Sequence, residues 1–117
     1  MMILVTGGSG SGKSAFAEDQ VVSFGEAERV YIATMFPFDE ESKKRVQRHR
    51  NMRSGKGFET IECYTDLAQV RVSKGSTVLL ECMSNLTANE LYLDTGAKER
   101  TREAVLEGIR ELEKRCR

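Results

Sequence analysis

No sign of charge dominates this chain: eighteen lysines and arginines are balanced by eighteen aspartates and glutamates over 117 residues. That balance excludes a global field favouring nucleic acid or a membrane surface, so any charge argument has to be local. A cysteine framework is missing too. Cys63, Cys82 and Cys116 are far apart, form no CxxC pair and are odd in number, which argues against both a zinc site and a secreted disulfide scaffold. Reduced thiols in a cytoplasmic protein are the expectation. No apolar run approaches the roughly 20 residues of a membrane span. The opening MMILV is interrupted by glycine too early for a signal peptide. There is no internal repeat, and the one low-complexity tract is a Gly/Ser run near the start.

What is present is enough length to bury one core, with short apolar runs alternating with helical patterns. Ile3-Leu4-Val5, Val30 to Thr34 and Ser76 to Glu81 read as strands, and Phe58 to Glu62 as a weaker edge strand. Lys13 to Phe24 reads as a helix with Phe16, Ala17, Val21 and Phe24 on or near one face. Asp39 is placed to cap a second helix running to about Met52, with Glu40 and Glu41 in its first turn. A short helix is expected from Thr65 or Asp66 through Arg71, another from Leu86 to Leu93, and a long one from Lys98 to Cys116. In the last, Val105, Ile109, Leu112 and Cys116 recur at helical spacing. The pattern implies an α/β fold, a mainly parallel sheet with flanking helices. Three good strands make a thin sheet, and the chain stops where another buried strand is expected. The expectation is therefore an incomplete domain.

The Gly/Ser run GGSGSGKS has two readings, a flexible spacer or a phosphate-binding loop. It stands between a predicted buried strand and an amphipathic helix, and it ends in Lys13-Ser14. A spacer has no reason for either. In the second reading Gly7, Gly8, Ser9, Gly10, Ser11 and Gly12 wrap phosphate oxygens with their backbone N–H groups. Lys13 reaches the outer phosphates, and the Ser14 hydroxyl ligates Mg²⁺. Such a loop works with an acidic group at the end of an apolar strand. Glu81, closing TVLLE, is the candidate metal partner, against the alternative of a surface carboxylate where a strand meets solvent.

The segment EESKKRVQRHRNMR has only Val46 as a clear apolar residue in its inner turns, so a core does not hold it as a hydrophobic stripe. Glu41, Arg45, His49 and Arg53 share one slowly drifting face. One reading is an exposed basic helix; another is a helix for RNA or membrane phosphates, weakened by neutrality and the lack of interleaved aromatics. The functional reading lays this helix over the nucleotide site, with arginines on phosphates and His49 facing an α-phosphorus. Neutral imidazole, with an ordinary pKa of about 6.5, is a competent nucleophile there.

With these motifs the chain resembles the bifunctional adenosylcobinamide kinase/adenosylcobinamide-phosphate guanylyltransferase family. ILVTGGSGSGKS resembles the family's opening and VYIAT its second strand. Glu41 through RVQRHRNMR resembles an E…RIxxHxxxR pattern, and FETIE and VLLECMSNLTAN follow in order, placing Glu62, Glu81 and Asn89. The resemblance implies a P-loop NTPase-like domain over residues 1–117, the N-terminal two-thirds of the family's domain. It implies phosphoryl transfer from ATP or GTP to adenosylcobinamide, then GMP transfer from GTP through His49 to the cobinamide phosphate. It further implies nucleotide contacts at Ala33, Thr34, Met35, Arg50, Asn51, Met52, Arg53, Glu62 and Glu81, with His49 and Lys13 catalytic and Ser14 and Glu81 on Mg²⁺. Its partners are nucleotide and corrinoid small molecules, with no nucleic acid and no membrane, in a homo-oligomer suspected to be a trimer.

The chain departs from the family at Gly10, where arginine is common, and the match fades after Asn89. Two other functions stay open on the residues alone: a P-loop kinase or nucleotidyltransferase for another small alcohol, and a non-catalytic nucleotide-binding switch.

Overall fold

The computed structural model describes residues 2–8, 10–25 and 27–116. Arg29–Ala33 (β1), Phe58–Glu62 (β2) and Thr77–Glu81 (β3) form a parallel sheet in the order β2-β1-β3. These strands lie within one residue of the positions that the apolar runs predict. β1 is central: Ala33 is in register with Glu62 on one side and Glu81 on the other. Val30, Tyr31 and Ile32 are accordingly buried, whereas β2 is an edge strand with Glu59 and Thr60 exposed. The helices are α1 (Lys13–Ser23), α2 (Glu40–Arg53), α3 (Met83–Tyr92) and α4 (Thr101–Arg115).

Side chains alternate across a strand, so the sheet has two different faces. Val30 and Ile32, with Val78 and Leu80 beside them, join the apolar core of Cys63, Leu67, Leu86, Val105 and Leu112. Tyr31 and Glu81 belong to the opposite face, where α1 and α2 reach them. α4 closes the apolar side by packing on the 3-10 turn Leu67–Gln69. Gly108 makes that approach possible, because a Cβ there would lie 2.5 Å from the Leu67 Cβ. A mid-helix glycine costs about 1 kcal/mol relative to alanine; close packing offsets it here. Within the core, burial pushes the Cys63 thiol up to about 11, which keeps it in the unreactive protonated form.

Several expectations need correcting. Residues 2–8 form no strand, and Ile3 and Leu4 are exposed. A buried parallel strand is held by ladders from its neighbours, and three apolar residues cannot make one without them. Phe16 is also exposed; Glu18, two residues on and roughly 200° round the helix, is buried instead. The segment from Asp66 to Arg71 is helical only over Leu67–Gln69; Val70, on extended backbone, and Val72 are both buried. α3 begins three residues earlier than expected, at Met83. The long terminal helix is a 3-10 turn, Lys98–Arg100, followed by α4. Asp39 does cap α2, its carboxylate accepting the Ser42 N–H at 2.7 Å, and that bond holds the Asp39 carboxyl below its ordinary range.

Glu90 is a structural carboxylate that no pattern announces. It is 2% exposed, and its two oxygens accept the backbone N–H groups of Asp66 and Ala97, each at 2.9 Å. It thus ties the start of the Leu67 turn to the loop between α3 and α4. Glu90→Ala is expected to lower the unfolding free energy by about 2 kcal/mol, since two N–H groups lose a charged acceptor. Glu90→Gln, which keeps one acceptor, should cost roughly half as much. Urea titration of the two variants checks the order.

Candidate active site

The site forms where the carboxyl ends of the strands meet the start of α1, as expected for an open parallel sheet. Gly10 and Gly12 have φ of +74° and +84°, backbone that side chains rarely adopt, and Gly12 leads directly into α1. Among the described residues no side chain caps that helix, and no acid lies in its first turn. Its first N–H groups and the positive end of its dipole therefore face the loop undiminished, the arrangement that suits an anion. The Ser11 N–H bonds the Gly8 carbonyl at 3.2 Å, and the Lys13 ammonium folds back on the Gly7 carbonyl at 3.1 Å. Ser9 lies outside the described residues.

From the second residue of α1, the Ser14 hydroxyl donates to the Glu81 carboxylate at the end of β3. The two residues expected on Mg²⁺ are thus in direct contact with each other. The second Glu81 oxygen accepts the Tyr31 hydroxyl at 2.7 Å. Tyr31 was not foreseen, although its place two residues before Ala33, the residue in register with Glu81, sets it on the same sheet face. Burial first, and then the Glu81 charge, raise the Tyr31 hydroxyl above its ordinary pKa, so it stays a donor.

α2 brings in the histidine. Its Nδ1 lies 3.9 Å from Glu81 Oε1, buried and without a hydrogen-bond partner. The exposed-helix reading of His49 therefore fails on position: the imidazole turns inward, to the same carboxylate that Ser14 holds. One turn later the Arg53 guanidinium stacks 3.4 Å from the Tyr31 ring centroid, with Nη2 on the Thr60 hydroxyl at 3.3 Å. Its Nε and Nη1 are buried and unpartnered. Arg50 pairs with Glu62. A further pair missed by the sequence reading secures the loop after α2: the Lys56 ammonium bonds the buried Glu18 at 2.8 Å, and that bond raises the Lys56 pKa.

The remaining predicted residues are distributed more widely. Ala33 ends β1 between Glu62 and Glu81. Thr34 is fully buried, its hydroxyl reaching the Glu81 and Cys82 carbonyls and accepting the Cys82 N–H, while its own carbonyl accepts from Asn89. Met35 is half-buried just beyond. Asn51 accepts from Gln47 on the outer side of α2, and Met52 is exposed.

A hydroxyl and a carboxylate are hard oxygen donors, and one or two of them together with substrate phosphates are what Mg²⁺ takes. Among the described residues no group of three or more His, Cys, Asp or Glu could enclose a metal by itself. The donor set thus fits Mg²⁺ brought with a nucleotide.

A family model described as cobinamide kinase / cobinamide phosphate guanyltransferase matches residues 3–117. The chain belongs to this family. It is 38% identical over 96 residues to the bifunctional adenosylcobalamin biosynthesis protein CobU of Salmonella typhimurium, covering 79% of this chain and 51% of that protein. To the protein of the same name from Escherichia coli it is 37% identical over 103 residues, covering 85% and 55%. The chain spans about half the length of the curated relatives it matches. The parallel sheet with flanking helices accords with this cobinamide kinase/guanyltransferase family, and no helix among the described residues is long and apolar enough to cross a membrane.

Proposed function

We propose that this chain carries the nucleotide-handling machinery of a bifunctional transferase that phosphorylates adenosylcobinamide and then guanylylates the product. The observation that supports it most is the convergence of Ser14, Glu81 and His49 beside the glycine loop. A kinase or switch alone has no use for a histidine turned toward the loop carboxylate. Guanylyl transfer does.

In phosphoryl transfer, residues Gly7 to Ser14 wrap the nucleotide phosphates and Lys13 exchanges the Gly7 carbonyl for a phosphate oxygen. Ser14 and Glu81 would hold Mg²⁺, which when bound would supply positive charge against the phosphate oxygens. The acceptor is the hydroxyl of adenosylcobinamide. In guanylyl transfer Glu81, with Oε1 3.9 Å from His49 Nδ1, favours a proton on that nitrogen. That tautomer leaves the Nε2 lone pair free to attack the α-phosphorus of GTP. The Nε2–P bond forms as the α–β bridging P–O bond breaks, and pyrophosphate leaves. A phosphate oxygen of the cobinamide phosphate then attacks the same phosphorus and returns the histidine. The unpartnered Arg53 donors and the Arg50–Glu62 pair flank this path, and we assign them to the nucleotide. In this reading Arg53 supplies charge to phosphate, and Glu62 accepts from a guanine edge.

The test is intact mass spectrometry of the protein before and after incubation with GTP and Mg²⁺. The expected result is a gain of one GMP less water that is lost in mild acid and retained in base, as a phosphoramidate requires. Release of pyrophosphate in equal amount should accompany it. Absence of any gain in the full chain would sink the guanylyl-histidine.

A further inference from the structure

We infer that Tyr31 is the positioning residue of this site: it aims the Glu81 carboxylate at the nucleotide-bound metal and, through Arg53, seats the helix that carries His49. The inference rests on the transfer reading above and adds to it a residue that touches neither substrate nor the reacting atoms.

Glu81 has three rotatable bonds, and a metal-binding carboxylate must be held within a narrow geometry to be useful. Ser14 binds one oxygen and Tyr31 the other, so the carboxylate cannot swing without losing one donor. The tyrosine is itself immobile. It sits at the centre of β1, 4% exposed, with the Phe58 ring edge-on at 6.4 Å. A buried tyrosine needs a partner for its hydroxyl, and this one takes the site carboxylate rather than a backbone carbonyl.

The second half of the argument concerns α2. Apart from Val46 its inner turns are polar, and Arg53 is its one buried residue among those described. A helix without an apolar stripe needs specific contacts to hold it. Arg53 on the Tyr31 ring is the innermost of these, and His49 lies four residues earlier on the same helical face. The ring and the hydroxyl of one residue thus set two groups relative to each other: the carboxylate below and the imidazole above. The pairs Arg50–Glu62 and Lys56–Glu18 hold the rim of the same contact.

The experiment uses the full chain with Tyr31→Phe, which keeps the ring and removes the hydroxyl, and Tyr31→Leu, which removes both. Mn²⁺ binding is measured in the presence of a non-hydrolysable ATP analogue, with the analogue's metal-free affinity measured in EDTA. Exposure of His49 is read from its rate of carbethoxylation, followed on the peptide that contains it. Tyr31→Phe is expected to weaken Mn²⁺ about tenfold, leaving metal-free nucleotide affinity and His49 labelling within twofold of wild type. Tyr31→Leu should weaken Mn²⁺ similarly and also speed His49 labelling at least fivefold. A residue that merely fills space would lower the melting temperature and all affinities together.

Unchanged Mn²⁺ affinity in Tyr31→Phe overturns the inference, and that variant decides the matter even if Tyr31→Leu does not fold. A wild-type protein that binds Mn²⁺ and nucleotide but transfers neither group would remove the proposed function and leave the positioning role standing. A wild-type protein that binds no metal with nucleotide would remove both.

Discussion

His49→Ala is expected to abolish the acid-labile GMP adduct, with pyrophosphate release falling about a thousandfold or more, because it removes the proposed nucleophile. Phosphoryl transfer from ATP to adenosylcobinamide should stay within a few-fold of wild type. The reason is geometric. His49 reaches the site from α2, where its Nδ1 lies 3.9 Å from Glu81 Oε1. The glycine loop, Lys13 and Ser14 belong to a different element, α1 and the turn before it, and hold one another without the histidine. Removing a mostly buried imidazole leaves Arg53 on Tyr31, so α2 should keep its seat. The check is to run both assays on one preparation: intact mass with GTP, and phosphate transfer with ATP. Loss of both activities with the melting temperature unchanged would mean that His49 serves the kinase step as well. Persistence of the GMP adduct would place the nucleophile elsewhere.

The parts of this site that were legible in the sequence are those encoded by local backbone chemistry. Gly12 ahead of Lys13-Ser14 demands a tight left-handed turn into a helix, and Asp39 ahead of Glu40-Glu41 demands a capped start; both signals act within a few residues. Glu81 was legible because an acid that closes an apolar strand has few places to go. The inward turn of His49 was readable only as a question, since a polar helix carries no stripe to say which face is down. What could not be read were the cross-chain partners. Tyr31 looks like any aromatic in a strand until β3 is known to lie beside β1 with Glu81 opposite Ala33. Glu18 in α1 and Lys56 in the loop after α2 each look solvated, and only their meeting makes the buried carboxylate tolerable. Glu90 is hidden for the same reason, because its partners are backbone N–H groups, one in the loop after its own helix and one at the distant Leu67 turn. Ile3 to Val5 failed in the opposite direction: a strand signal is local, but a strand exists only with a neighbour, and no ladder forms there among the described residues.

Glu81→Gln should behave differently from His49→Ala, lowering both transfer reactions by about a hundredfold or more. The amide keeps the shape of the carboxylate, and its single carbonyl oxygen can still accept from Tyr31 or Ser14. The Ser14 hydroxyl can turn to accept from the new NH₂ group, so the fold has little reason to change. What disappears is the negative charge at the point where Ser14, Tyr31 and His49 converge. A neutral amide is a poor partner for a divalent ion brought with phosphates, and it no longer favours a proton on His49 Nδ1. The metal-free affinity for nucleotide should hold within a few-fold, because the glycine loop and the start of α1 supply it. The measurement pairs the two transfer assays with a Mg²⁺ titration of each. A fall in both reactions, partly restored at high Mg²⁺, is the result that assigns Glu81 to the metal. A fall in guanylylation alone, insensitive to Mg²⁺, would instead make Glu81 the orienting partner of His49 and nothing more. In that case the Ser14–Glu81 contact would be a clasp between α1 and β3, and the metal's protein ligand would have to be sought on the loop side, at Ser14 alone.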